Sequence, residues 1–305
     1  MVLQRYKVKK YIQKYKDQNV IGNCKPNSRK LILSQHISID NDEIYQGGSP
    51  LNTLIIGNMH SGKGLNFLIP NILDMPQNTH YIIIDQGGVL WASTHKYFLK
   101  QGYNVFFFDP FDDNAEKFET DNYFINKTAI FIRTGRFYMT ANVKARVFFS
   151  KCLEECYKKS FADTPEPRSD YKVRVIMDDI AEMKNIKKDI PNFLYYLETG
   201  YLRGISFQIS AQNIEQLILT FEDNWDAVLH NMFNILFLGK INDINKRDVY
   251  QMFESDPVWF RNKFVGHTDL SSMTKDDILI LIKEHEPVID TKYKLSYRYL
   301  NDIIV

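Results

Sequence analysis

Between Thr53 and Pro70 the chain reads TLIIGNMHSGKGLNFLIP, and these residue types at this spacing suit chemistry on a polyphosphate. Apolar and β-branched residues run into Gly57, four residues follow (Asn58, Met59, His60, Ser61), and Gly62, Lys63 and Gly64 close the segment. A strand, a glycine-bounded loop, a lysine and a helix in that order turn backbone N–H groups inward around an anion. Lys63 then reaches the β- and γ-phosphates. The pattern G-x4-G-K normally ends in Ser or Thr, whose hydroxyl ligates Mg²⁺, and here that position is Gly64. An ordinary glycine-rich βα turn is the plain alternative.

In parallel sheets ligands lie at the carboxyl ends of strands, so polar residues just after apolar runs are the other candidates. They are Asp85 and Gln86, Asp109, Asp178 and Asp179, and Gln212 with Asn213. VRVIMDD has the form of a Walker B element: an apolar strand, an acid to hold Mg²⁺ (Asp178) and a second acid to polarise the attacking water (Asp179). One of the two could instead cap the following helix. Gln212, on the next strand out, is placed to sense the γ-phosphate, and Asp85 reads equally well as a helix cap.

The elements that must carry these residues alternate regularly. Strands are predicted at LIIG, HYIIIDQ, YNVFFFDP, TAIFIR (128–133), KVRVIMDD (172–179), ISFQISAQN (205–213) and NILFLGK (234–240). Helices are predicted at LNFLIPNIL, WASTHKYFLKQG, NVKARVFFSKCLEECYKKSF (142–161), within PNFLYYLETGYLRG, at EQLILTF, WDAVLHNMF and KRDVYQMFESDPVWF, and at the start of SSMTKDDILILIKEHEPVI, with an edge strand in the tail YKLSYRYL. Such alternation argues for an α/β fold, a mostly parallel central sheet with helices on both faces. Two parts are expected: a polar, lysine-rich segment over 1–45 and a nucleotide-binding domain over 46–305.

A chain of 305 residues, 44% hydrophobic and 25% charged, buries a large core. Its net charge of +1 excludes a global basic field, so any nucleic-acid contact must come from a local patch or from a ring of copies. Cys24, Cys152 and Cys156 fit a reducing compartment, the last two one turn apart on a buried helix face. No apolar run approaches the ~20 residues of a membrane helix, and Met1 to Lys16 is too charged for a signal peptide. The expectation is a soluble, cytoplasmic chain that reaches the inner face of the membrane through partners.

Taken in order, SGKGLNFLIPNIL, IIID, FFFDP, VIMDD-x-A-x-M, LRGIS-x5-Q-x3-QL and N-x2-NILFLG resemble the nucleotide-binding domain of type IV secretion coupling proteins, the TraG-like conjugation ATPases. The resemblance covers roughly Leu51 to Lys294. It includes Gly64 and Pro70, since family members carry S-G-K-G-x4-x-I-P-N-L-L. It implies a RecA-like P-loop NTPase fold, a hexameric ring with ATP and Mg²⁺ at subunit borders, and DNA or nucleoprotein substrates handed to a secretion channel or membrane-anchored partner. It also implies that Gln212 is the family's glutamine and that Arg203, in YLRGIS, is an arginine finger acting on a neighbour's nucleotide. A surface ion pair is the plain alternative for Arg203.

The chain departs from the family pattern in three places. The family's D-P-K-G-E is here Asp85-Gln86-Gly87-Gly88-Val89, and the acid after Asp178 is Asp179 where relatives carry Glu. The two N-terminal membrane helices of full-length members are not expected, and residues 111 to 127 are too few for their all-helical domain. Three functions follow: an ATPase core of the coupling-protein type, a nucleotide-binding assembly subunit with little hydrolysis, or a cytosolic FtsK-like or HerA-like DNA pump.

Overall fold

The computed structural model describes residues 30–40, 51–74, 79–112, 124, 126–135, 139–160, 172–183, 186–240, 249, 270–283, 285 and 287–295. The sheet at its centre holds β3 (Thr53–Ile56), β4 (Thr79–Gln86), β5 (Asn104–Phe108), β6 (Thr128–Thr134), β7 (Lys172–Met177), β8 (Ile205–Ala211), β9 (Asn234–Leu238), β10 (Asp277–Ile282) and β11 (Val288–Thr291), while β1 (Lys30–Ile32) and β2 (Ser38–Asp40) pair separately. The strand order is β11-β10-β9-β3-β8-β7-β4-β6-β5. All pairings from β9 to β5 are parallel. β10 is antiparallel to both its neighbours.

The strands are nearly continuous apolar runs because both faces are covered. Side chains alternate: Leu54, Ile56, Ile82, Ile84, Val175 and Met177 face one core, and Ile55, Tyr81, Ile83 and Ile176 the other. The first core is closed by α3 (Met139–Lys159), α4 (Ile186–Asp189), α5 (Phe193–Thr199), α6 (Ile214–Phe221) and α7 (Trp225–His230). Cys152 and Cys156 are buried there, on the helix face that their spacing predicts. The second is closed by α1 (Ile69–Leu73), α2 (Val89–Lys100) and the β1–β2 hairpin.

That hairpin lies inside the segment expected to be polar. Leu31, Leu33, Ile37 and Ile39 are buried against the helix that follows the 57–64 loop, so the folded core begins before residue 46. Asn71 fastens it: its Oδ1 accepts from Ile32 N–H (2.7 Å) and its Nδ2 donates to the Ile32 carbonyl (2.9 Å).

Three further expectations change. Pro70 does not fall inside a regular helix. Gly64–Leu68 wind as a π-type turn closed by the Ile69 N–H on the Gly64 carbonyl, and Pro70 opens α1, where its missing N–H costs little. The helix expected at SSMTKDD is only a 3-10 turn, Leu270–Ser272, before β10. β8, the strand of Gln212, lies between the loop strand β3 and the acid strand β7 rather than outside them. The helix expected at 246–260 and the tail strand lie outside the described residues, apart from Val249 and residues 293–295. So does Cys24. Among the described residues no helix is long and apolar enough to cross a membrane.

Candidate active site

Gly57 continues β3, its N–H donating to the Ala211 carbonyl at 3.1 Å, so the loop springs from the sheet beside the end of β8. A Cβ on Gly57 would stand 2.4 Å from Ser61 Oγ, and one on Gly62, whose φ is +92°, would stand 1.9 Å from Asn66 Oδ1. Gly57 is required by close approach, since Ser61 Cβ would stand 2.9 Å away, and Gly62 by its left-handed φ. His60 also takes a left-handed φ of 63°, and Asn58, Met59 and His60 are exposed at the loop tip. Ser61 Oγ is buried without a hydrogen-bond partner among the described residues. Lys63 Nζ donates to the Gly57 carbonyl at 2.6 Å and lies 3.4 Å from that of Asn58. Burial pulls the Lys63 pKa below its ordinary value, against the opposing pull of Asp179 and Asp178.

The acids face that lysine across β8. Strands stand about 4.8 Å apart, so the ends of β3 and β7 are roughly 10 Å from each other. Ser210, on β8, ties the pair together: its hydroxyl donates to Asp178 Oδ1 (2.9 Å) and accepts the Asp179 N–H (2.9 Å). Burial raises the Asp178 pKa, while the Ser210 hydrogen bond and Lys63 favour the carboxylate. Asp179 takes a left-handed φ of 51°, a conformation Asp tolerates better than most side chains. That turn directs its carboxylate toward Gln212, whose Nε2 donates to Oδ2 at 2.8 Å. Gln212 is fixed in turn by Gln216, whose Oε1 accepts its N–H (2.8 Å), and Asn213 caps α6 by accepting from Gln216 N–H (3.0 Å).

The structure thus brings Gly57–Gly64, Asp178, Asp179 and Gln212 to one end of the sheet. Arg203 stands elsewhere. It precedes β8, at the opposite end of the strands, with its guanidinium 4.0 Å from the Tyr157 ring and its Nη1 donating to the Tyr157 carbonyl at 3.3 Å. Asp85 is a helix cap, accepting from Leu90 N–H (3.1 Å) and Trp91 N–H (2.7 Å) at the start of α2. Asp109 pairs with Arg133 (2.9 Å) and accepts from Phe111 N–H (3.1 Å). Sequence reading did not single out Ser210. An apolar run hides one serine, and only the register that sets it beside Asp178 marks it.

The residues fit a nucleotide with Mg²⁺. The loop offers N–H groups, a lysine and the buried Ser61 hydroxyl to an anion. Asp178 offers a carboxylate to a hard cation that takes its other oxygens from phosphate and water. Gly64 has open space where a Cβ would project, with no heavy atom within 4 Å.

Two family models match the chain in order. One described as type IV secretory system conjugative DNA transfer matches residues 7–120, and one described as the TraM recognition site of TraD and TraG matches residues 172–250. No curated protein sequence matches. Among solved structures, the bacterial conjugative coupling protein TrwBdeltaN70 in an unbound form superposes with a TM-score of 0.65 at 9% identity, covering 93% of this chain and 92% of that one. TrwB with the ATP analogue ADPNP gives 0.62 at 9%, covering 88% and 90%. TrwB with ADP and Mg²⁺ gives 0.63 at 9%, covering 88% and 89%. At such identity the structures speak for the fold, a RecA-like α/β sheet. With the two family models spanning more than half of its residues, the chain belongs to the conjugative DNA-transfer family of type IV secretion coupling proteins.

Proposed function

We propose that this chain is the ATP-binding, ATP-hydrolysing core of a conjugation coupling protein. The observation that carries the reading is the facing of Lys63 and the Asp178–Asp179 pair across the end of β8, with Gln212 joined to Asp179. In this reading residues 57–64 bind the phosphates, Lys63 neutralises their charge, and Asp178 holds Mg²⁺. Asp179 orients the attacking water and accepts its proton, and Gln212 couples that carboxylate to the γ-phosphate. Mg²⁺ held by Asp178 would supply neutralisation of the phosphate charge. Positioning and fixed charge provide most of the rate in phosphoryl transfer.

Arg203, at the other end of its strand, would act only across a subunit border, in a ring of copies. DNA would bind that ring rather than the monomer, because a net charge of +1 gives the monomer little attraction, and binding should weaken steeply with salt. Secretion-channel or membrane-anchored proteins would be the further partners.

ATP turnover with and without DNA, beside size measurement under nucleotide, tests the reading. Turnover that Lys63→Ala abolishes supports it. Nucleotide binding and hydrolysis indifferent to Lys63→Ala would overturn it. One observation favours a second reading, an assembly subunit with little turnover: Asp179 is only 7% exposed and already bonded to Gln212. Binding without turnover would select it.

A further inference from the structure

A second lysine reaches the phosphate loop from behind. Lys292 follows β11, more than two hundred residues from the loop, yet its Nζ donates to the Ser61 carbonyl at 2.7 Å and also to the Lys275 carbonyl. The residue is only 7% exposed, and burial draws its pKa below the ordinary lysine value, against Asp276 and Asp277. One residue on, the Tyr293 carbonyl accepts from Asn66 Nδ2 at 2.8 Å. The chain at 292–293 therefore grips the loop at Ser61 and its following turn at Asn66. Gly239, just past β9, takes a left-handed φ of +92° beside Lys292 Nζ.

In a trans peptide the C=O of one residue and the N–H of the next point in opposite directions. An ammonium that holds the Ser61 carbonyl therefore fixes the Gly62 N–H to point the other way. Ser61 and Gly62 are central to the pattern that cradles phosphate. Lys292 also places a buried positive charge behind that peptide, and a buried charge acts on an anion with less screening than an exposed one.

We infer that Lys292 is a positioning residue for nucleotide binding: with Asn66 and Tyr293 it straps the loop in its phosphate-accepting shape and ties the β10–β11 end of the sheet to nucleotide occupancy. This rests on the nucleotide-binding reading above. A bond that shapes the binding-competent loop is strengthened by the ligand to the same degree that it strengthens binding.

The test uses the full chain and fluorescent ADP with Mg²⁺. Lys292→Met should weaken binding by about tenfold or more, as loss of a charge-assisted hydrogen bond in the loop. Lys292→Arg, which keeps the charge and a donor, should stay within about threefold of wild type. In turnover the Met variant should raise KM and leave kcat at saturation nearly unchanged, because Lys292 touches no reacting atom. Wild-type affinity in Lys292→Met overturns the inference. Hydrogen exchange of the wild-type protein gives a second reading that needs no variant to fold: bound ADP should slow exchange over residues 288–295, and unchanged exchange there overturns the inference too. Lys63→Ala separates the two levels. If wild type does not bind, the nucleotide reading fails. If wild type binds, Lys63→Ala does not, and Lys292→Met does, only the role of Lys292 fails.

Discussion

Gln212 Nε2 donates to Asp179 Oδ2 at 2.8 Å, and this bond joins the glutamine motif to the second acid of the strand-end pair. The two residues come from just after β8 and just after β7, adjacent strands in the sheet. The family pattern that the sequence resembles has a longer Glu where Asp179 stands. Here the left-handed turn at Asp179, with φ 51°, carries its short carboxylate to the glutamine. The pair acts as a unit because each orients the other.

Residues that act as a unit are non-additive on removal. Gln212→Ala and Asp179→Ala should each lower kcat, on the order of 10²-fold, a common scale for loss of a positioned general base. The double variant should fall little further. Steady-state turnover on the four proteins checks this, and full multiplicativity of the two effects would dissolve the pair.

The strands, the loop and the acid pair were legible because each has a local signature. Apolar runs make strands, close glycines make the loop, and paired acids end a buried run. The linkage between these parts was not legible. Ser210 between the acids and Asn66 on Tyr293 are consequences of strand order and register, which no window of sequence contains. The hairpin at 30–40 was missed because each of its strands is only three residues long, too short to show a period. Pro70 was legible only as an oddity, since a π-type turn has no sequence signature of its own.

Asn71 shows what the polar residue in IPNIL does. It satisfies both backbone groups of Ile32 and donates to the Phe67 carbonyl at 2.9 Å. Asn71→Ala would strand these buried groups at about 1–3 kcal/mol each. We expect a loss of roughly 2–4 kcal/mol in chemical unfolding, with Asn71→Asp comparably costly because it removes the donor. An unchanged unfolding midpoint would mean that the hairpin is not part of the cooperative unit.

Asp85 makes a prediction about pH. Burial raises its pKa from 3.8 to about 6, although the Leu90 and Trp91 N–H groups pull the other way. The folded state thus holds the proton more tightly than the unfolded chain. Its contribution is full below the unfolded pKa of 3.8 and is lost as pH rises through about 6. A shift of about two units is worth roughly 3 kcal/mol. Asp85→Asn should flatten the stability profile between pH 4 and 6 relative to wild type, whatever it costs in absolute stability by removing one acceptor. Parallel profiles in the two proteins would show that Asp85 does not titrate in this range.

Gly64 is where a hydroxyl ligand to Mg²⁺ would ordinarily stand. Two physical terms bear on restoring it. The first is steric and conformational: a Cβ on Gly64 meets nothing within 4 Å, and its backbone lies in a helical turn with no positive φ. Replacing a helical glycine in a compatible conformation stabilises by about 0.5–1 kcal/mol, less for a β-branched residue. The second is coordination: Mg²⁺ demands near-octahedral oxygens, and a side-chain hydroxyl replaces a water whose position the protein does not fix. Gly64→Ser should therefore hold or raise the melting temperature and shift the Mg²⁺ dependence of nucleotide binding to lower concentration, by roughly two- to tenfold for one added hydrogen-bond-strength contact. Titrating Mg²⁺ at fixed fluorescent ATP analogue measures the shift. A Gly64→Ser variant with an unmoved Mg²⁺ midpoint would place the cation away from this turn, leaving Asp178 to hold it without help from the loop.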